Sequence, residues 1–432
     1  MTEEGFPEGA AVSLPGAAPA RLVAASRPLG PAFDLLAAYR ADGFLFERAG
    51  LGVVGVGVAA RVADAGGPGR EARLAARVLE TLRSIDRADP EAVPVAVGAL
   101  PFDQGGPAEL VVPARAVLRR ARGPTVEVSV VAEGSAPAAS GIGRRAGRGA
   151  PHAPFREVQL RPEPSPEGYV ARVADAVERI RAGRLRKVVL ARSLAVDAGR
   201  ELRPEPLAWR LRAVDPEHFA FAAPTGAGGV LVGASPELLV RRAGREVESA
   251  PLAGSAPRSG DPEEDRALAE GLLASGKERE EHAVVVEAVA EALRPLCEEL
   301  SWDPEPVLLS TANVWHLATR FRGVLRDPAP SALELVAALH PTPAVGGAPR
   351  DEALRTIAEL EPFDRGTYAG PVGWMDAGGD GEWAIALRCA ELRGSTARLF
   401  AGAGIVAGSE PERELEETER KFRAFLDSLR WG

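Results

Sequence analysis

Apolar positions along this chain fall mostly into short strand-like runs, broken by a few stretches with helical spacing. In the first third, GFLFERAGLGVVGVGVAARV (43–62) and TVEVSVVAE (125–133) have the apolar, β-branched content of strands, while REARLAARVLETLRSI (70–85) repeats its apolar residues at helical intervals. The segment 134–154, GSAPAASGIGRRAGRGAPHAP, has no apolar period and reads as a mobile surface loop. From about 167 the pattern tightens. GYVARVADAVERIRAGR predicts an amphipathic helix, 187–196 a strand, and FAFAAP (219–224) and GGVLVGASPELLV (228–240) further strands. DPEEDRALAEGLLAS and KEREEHAVVVEAVAEALRPL predict consecutive helices, the first opened by an Asp cap. WAIALRCAEL (383–392) and ARLFAGAGIV predict strands, and EPERELEETERKFRAFLDSL a closing helix. Without strict alternation of strand and helix, the order favours an α+β fold with a largely antiparallel sheet.

With 432 residues, 46% of them apolar, the chain can build one large or two ordinary domains. No run approaches the roughly eighteen apolar residues of a membrane span. The acidic opening MTEEGFPEGA has no leader-like features, so a cytoplasmic protein is expected. Interspersed charges and a net charge of -9 argue against nucleic acid and favour a small-molecule partner. Cys297 and Cys389 lie too far apart for metal-type spacing and read as buried small residues. Gly55-Val-Gly57 and Gly141-Ile-Gly143 lack the strand-to-helix context of a dinucleotide loop.

Basic residues are written almost wholly as arginine: only Lys187, Lys277 and Lys421 are lysines among 52. Lys187 begins an apolar strand, where burial lowers a lysine toward neutrality and lets it act as a base, as guanidinium cannot. A strand-end lysine reaching out to solvent is the alternative. Glu237, after GASP, reads equally as a raised-pKa acid or a turn glutamate. Glu278 and Glu281, and likewise Glu414 and Glu417, stand three apart on predicted helices, so each pair shares a face suited to a hard divalent ion. Solvated helix faces would look the same, since Glu412, Glu416 and Glu419 pair equally well. His316 has apolar neighbours, as a satisfied core histidine would. Gly402-Ala403-Gly404 presents unhindered backbone N–H groups to an anion, or forms a bulge.

KVVLAR (187–192), GASPELLV (233–240), PLAGSAPR (251–258), KEREEH (277–282), WHLATR (315–320), LHPTPAVGG (339–347), PFDRGTYAGPVGW (362–374), IALRCAEL (385–392) and LFAGAGIVAGSEPERELEETERK (399–421) resemble, in this order, the chorismate-utilising enzymes. The resemblance spans about 167–427. It implies a catalytic core over 156–432 and a variable N-terminal part, 1–155, of the same fold. It places Lys187 as the base that activates water and Glu237 as the acid that protonates the departing C4 hydroxyl of chorismate. Glu278, Glu281, Glu414 and Glu417 fall on an Mg²⁺ site. Tyr368, Arg388 and the Gly402–Gly404 backbone match the site for the pyruvyl carboxylate, with Lys421 beside the substrate carboxylates. Gly254, Ser255 and His316 line the ring end, and Ala344 and Leu387 complete the pocket. Ser255 stands where relatives have threonine, and it keeps the hydroxyl.

Within the family, a lysine at 187 and an alanine, Ala253, where aminodeoxychorismate-forming members carry a nucleophilic lysine both favour water over ammonia. Ala344 and Val345 favour members that do not go on to eliminate pyruvate, as the salicylate-forming branch does. The expectation is therefore conversion of chorismate to isochorismate by a monomer with no glutaminase partner, the downstream route, siderophore, menaquinone or another, being left open by the sequence. The resemblance assigns no role to Lys277.

Overall fold

The protein is described by a computed structural model covering residues 21–30, 32–121, 123–135, 142, 159–226 and 228–430. The loop expected at 134–154, with its Gly141 and Gly143, lies almost wholly outside these residues. Ten strands and three helices bear on the site. The strands are β1 (Phe44–Arg48), β2 (Lys187–Asp197), β3 (Phe219–Pro224), β4 (Val230–Ser235), β5 (Leu238–Ala243), β6 (Leu252–Pro257), β7 (Val314–Ala318), β8 (Gly381–Ile385), β9 (Cys389–Arg393) and β10 (Thr396–Ile405). The helices are α1 (Pro166–Arg181), α2 (Gly276–Leu293) and α3 (Pro411–Arg430).

Two large sheets dominate the described residues. A thirteen-stranded sheet carries β2, β10, β9, β4, β3 and β1 side by side, and a nine-stranded sheet carries β5 beside β8. A small third sheet holds β6 and β7. Pairing is antiparallel throughout except where Leu22–Leu29 meets Asp86–Arg87, so the α+β reading holds. Both large sheets mix strands from either side of residue 155: β1 pairs with β3 through Phe46↔Phe221 and Ala220↔Glu47. Gly55, in the strand Leu51–Val56, belongs to a hairpin and not to a phosphate loop.

Helix starts follow their caps. Ser165 accepts from Gly168 N at α1, and Ser275 accepts from Glu278 N at α2, separating α2 from the preceding helix Pro262–Ala274, which Asp261 caps as expected. Amphipathic α3 lays Phe422 and Phe425 against the thirteen-stranded sheet and also packs on α1. Between the sheets, Phe46 stacks on Phe219 with ring centroids 5.2 Å apart, and Trp383 is fully buried in the same core. Each such side chain contributes about 1.5–3 kcal/mol by leaving water. Both cysteines are buried and free. Among the described residues no helix is long and apolar enough to cross a membrane.

Two expected strands are each divided. The run 228–240 is β4 in one large sheet and β5 in the other, joined through Pro236 and Glu237. The run 383–392 is likewise β8 and β9, joined through Ala386, Leu387 and Arg388. The two crossings are neighbours, because β4 pairs with β9 and β5 with β8. Strands that change sheets must bend, and the second bend holds Arg388 at φ 49°, a left-handed backbone that costs a non-glycine residue about 1–3 kcal/mol.

Phe46→Ala, by opening a cavity where the N-terminal strands join the rest, lowers the unfolding free energy by about 3–5 kcal/mol in urea titrations.

Candidate active site

The two crossings open one pocket between the large sheets, with β6, α2 and α3 closing it. Its mixture of apolar walls with a few convergent charges suits a small polar ligand. Glu237 comes from the first crossing and Leu387 and Arg388 from the second. Gly254, Ser255, His316, Ala344, Tyr368, Gly402, Gly404 and Lys421 line the rest, as do Glu281 and Glu417. Lys187 is not itself a lining side chain; it stands directly beside the lining residues Glu281 and Gly404. Glu278 and Glu414 do not line it either.

Glu237 is 2% exposed, and its carboxyl is pushed up to about 8 by burial, against the pull of Lys187 and Arg388. At neutral pH it therefore holds a proton to give. Lys187 is completely buried, with Nζ 2.9 Å from Glu281 Oε1. The charges meet, but the angle is not that of a hydrogen bond, so the ammonium keeps unspent donors. Gly404 makes this contact possible. A Cβ there would sit 2.1 Å from Glu281 Oε1 and 3.1 Å from Lys187 Cε.

Arg388 donates from Nη2 to His316 Nε2 at 3.0 Å, and His316 Nδ1 lies 3.3 Å from the Gly254 carbonyl oxygen. Those partners require Nδ1 to carry the hydrogen and Nε2 to accept. Burial, reinforced by Arg388, drives the imidazole well below its usual range, so it stays neutral. The expected core histidine is thus a wall of the pocket that holds an arginine. Tyr368 stacks on Phe400 at 4.9 Å, with its hydroxyl against Gly402. Lys421 Nζ donates to Gly402 O at 2.7 Å and to Glu417 Oε1 at 2.5 Å.

The four helix glutamates converge with all three lysines of the chain. Lys277, for which sequence reading found no role, bridges the two helices, with Nζ 2.8 Å from Glu414 Oε1 and 3.5 Å from Glu278 Oε1. Glu278 also accepts from Ser255 N at 2.9 Å. Burial, then repulsion from Glu281, pushes Glu278 up to about 7. Glu414 is pushed up by burial and by Glu417. Burial works against the charge on Glu417 as well, but Lys421 outweighs it and holds that carboxyl below its usual range. Among the described residues no three His, Cys, Asp or Glu side chains meet at one point as a ready metal cage. The donor set is nonetheless all carboxylate oxygen, buried and mutually repelling, which a hard cation would relieve. The other equally spaced glutamates differ: Glu412 and Glu416 are exposed.

Sequence reading missed Arg365, although its block was recognised. This buried residue clamps Glu361 and donates to the carbonyls of Val345 and Val189, both wall residues, at 2.8 Å. Val189, Pro236 and Leu252 were also missed. They form apolar wall, for which the sequence carries no local signal.

Residues 31–430 match the family described as chorismate binding enzymes. The chain is 41% identical to isochorismate synthase DhbC of Bacillus subtilis over 91% of its own length and 95% of that protein's. The solved structure of MenF, the menaquinone-specific isochorismate synthase from Escherichia coli, superposes with a TM-score of 0.78 at 27% identity, over 95% of this chain and 94% of that one. Anthranilate synthase component I from Streptococcus pneumoniae shares the fold, with a TM-score of 0.65 at 22% identity over 97% and 95% of the two chains.

Gly404→Ala separates Glu281 from Lys187 without straining the backbone. It lowers turnover by about a hundredfold, as expected for a displacement of about 1 Å at a reacting group, while the melting temperature falls by only a few degrees.

Proposed function

The chain belongs to the chorismate binding enzymes, and on that premise we propose that it is an isochorismate synthase, converting chorismate to isochorismate as a single chain without an ammonia donor. The observation that carries this reading is a buried, proton-bearing Glu237 in the same pocket as Arg388 and Lys421, in a chain alike over nearly its whole length to isochorismate synthases.

Chorismate brings two carboxylates and must lose a hydroxyl from C4 while water adds at C2. Arg388, steered by neutral His316, receives the carboxylate of the pyruvyl arm together with the Tyr368 hydroxyl and the backbone at Gly402–Gly404. Lys421 stands by as the second cation. Lys187, beside Glu281, is the base that takes a proton from water as oxygen bonds to C2. The ring double bonds shift, the C4–O bond breaks, and Glu237 delivers its proton so that water departs. Product and reactant are isomers of similar energy, so each group also works in reverse. Glu278, Glu281, Glu414 and Glu417 would hold Mg²⁺, directly or through water, and the ion, when bound, neutralises the ring carboxylate and charge developing in the conjugated system. Ser255 and Glu278 tie this region to the pocket wall through the 2.9 Å backbone hydrogen bond.

Purified protein given chorismate and MgCl₂ yields isochorismate and no pyruvate by chromatography. Salicylate with stoichiometric pyruvate, or turnover only with ammonia, defeats the reading. Lys187→Ala loses several orders of magnitude in kcat yet still binds chorismate by calorimetry, since it removes a base and leaves the anion clamp.

The pH dependence follows from Glu237. Its folded value, raised to about 8 by burial, lies above that of the unfolded chain, so the associated stability is complete below about 4.5 and is lost as pH rises through about 8. The acid form is lost over the same upper limb. The forward rate therefore falls above about pH 8, and Glu237→Gln removes that limb along with most of the activity.

A further inference from the structure

Four glutamates share three lysines here, and the three ammonium groups are held differently. Lys187 is sealed in, with 0% of its side chain exposed, and Lys421 is 11% exposed and fastened to the Gly402 carbonyl as well as to Glu417. Lys277 keeps 34% of its side chain in solvent, and among the described residues it is the only cation in ion-pair contact with Glu278 or Glu414. It is also the second residue of α2, where the positive end of the helix dipole disfavours a cation. The carboxylates of two different helices hold it there, not its own helix.

We propose that Lys277 is a built-in placeholder cation: its ammonium fills the gap between Glu278 and Glu414, and a divalent cation enters by expelling it to solvent. This rests on the reading that a divalent cation sits among these glutamates. The geometry makes the two occupants exclusive. Magnesium draws carboxylate oxygens to about 2.0–2.1 Å, whereas the ammonium already stands 2.8 Å and 3.5 Å from one oxygen of each glutamate. An ion bound by those oxygens takes the space of Nζ, and the two positive charges repel. The exposed stem gives Lys277 somewhere to go, unlike Lys187. Without metal, the same lysine keeps Glu278 and Glu414 from facing each other uncompensated and ties α2 to α3. Cation affinity is thereby tempered, and the empty site stays assembled.

Having only three lysines makes the test direct. Full-length protein is reductively methylated with formaldehyde and cyanoborohydride, with and without MgCl₂, and each lysine is followed by peptide mass spectrometry. Magnesium raises the labelling rate of Lys277 at least threefold and leaves Lys187 protected. In parallel, Lys277→Met binds Mg²⁺ about tenfold more tightly than wild type by calorimetry and melts lower without it, and saturating Mg²⁺ closes the gap in melting temperature. Lys277→Gln replaces Lys277→Met if the latter does not fold. If wild type binds Mg²⁺ but Lys277 labelling is unchanged or slower, or if neither variant binds more tightly, the placeholder is overturned while the metal reading stands. If no protein binds Mg²⁺, the metal reading fails and takes the placeholder with it.

Discussion

The site rests on charge compensation in a place where water is scarce. Glu281 and Glu414 are buried, Glu278 and Glu417 nearly so, and carboxylates this close resist ionising together. Removing one partner from a buried ion pair typically costs about 3–5 kcal/mol, because the other charge is left without an answer. Each glutamate accordingly meets a lysine. The compactness of that cation matters in a chain that otherwise uses arginine. An ammonium on a slender stem fits between Gly404 and Glu281, where a planar guanidinium would demand more room and could not give up its proton.

A second constraint places the chemistry. Two adjacent strands leave one large sheet for the other at the same level, and the residues at the bends cannot join either ladder fully. Their side chains turn into the gap between the sheets. Glu237 and Leu387–Arg388 occupy these bends, and the strain at Arg388 is a consequence of delivering its guanidinium to His316 there. Acid and anion-binding groups are thus carried by backbone that is irregular by necessity yet anchored by strands on both sides, the arrangement expected of a precise site on a rigid scaffold.

Much of this was legible beforehand. Asp261 and a helix over 277–296, the strand from Lys187, and the antiparallel character all follow from caps, periodicity and the absence of βαβ order, which are local signals. The pocket residues were reached through ordered family blocks, not through physics alone. The divided strands were not legible. GVLVGASPELLV and WAIALRCAEL keep an apolar pattern through the bend because both sheets bury them, so periodicity carries no mark of the change of sheet. Arg365 was invisible for a related reason: its partners are backbone carbonyls of distant segments.

The glutamates show where the division falls. Spacing by three along a helix determined that Glu278 and Glu281 share a face, and Glu414 and Glu417 likewise, because that is a property of a single turn. The same rule applied equally to Glu412 and Glu416, which are exposed, and to the half-buried Glu419; Glu416 and Glu419 stand only at the edge of arginine contacts, with Arg420 and Arg192. Which carboxylates are buried, which lysine each one meets, and that Lys277 spans two helices more than 130 residues apart in the chain were decided only when α2, packed on β6, and α3, packed on β10, closed the pocket together. Electrostatic pairing in a desolvated space depends on distance through space, and the linear order of residues does not contain it.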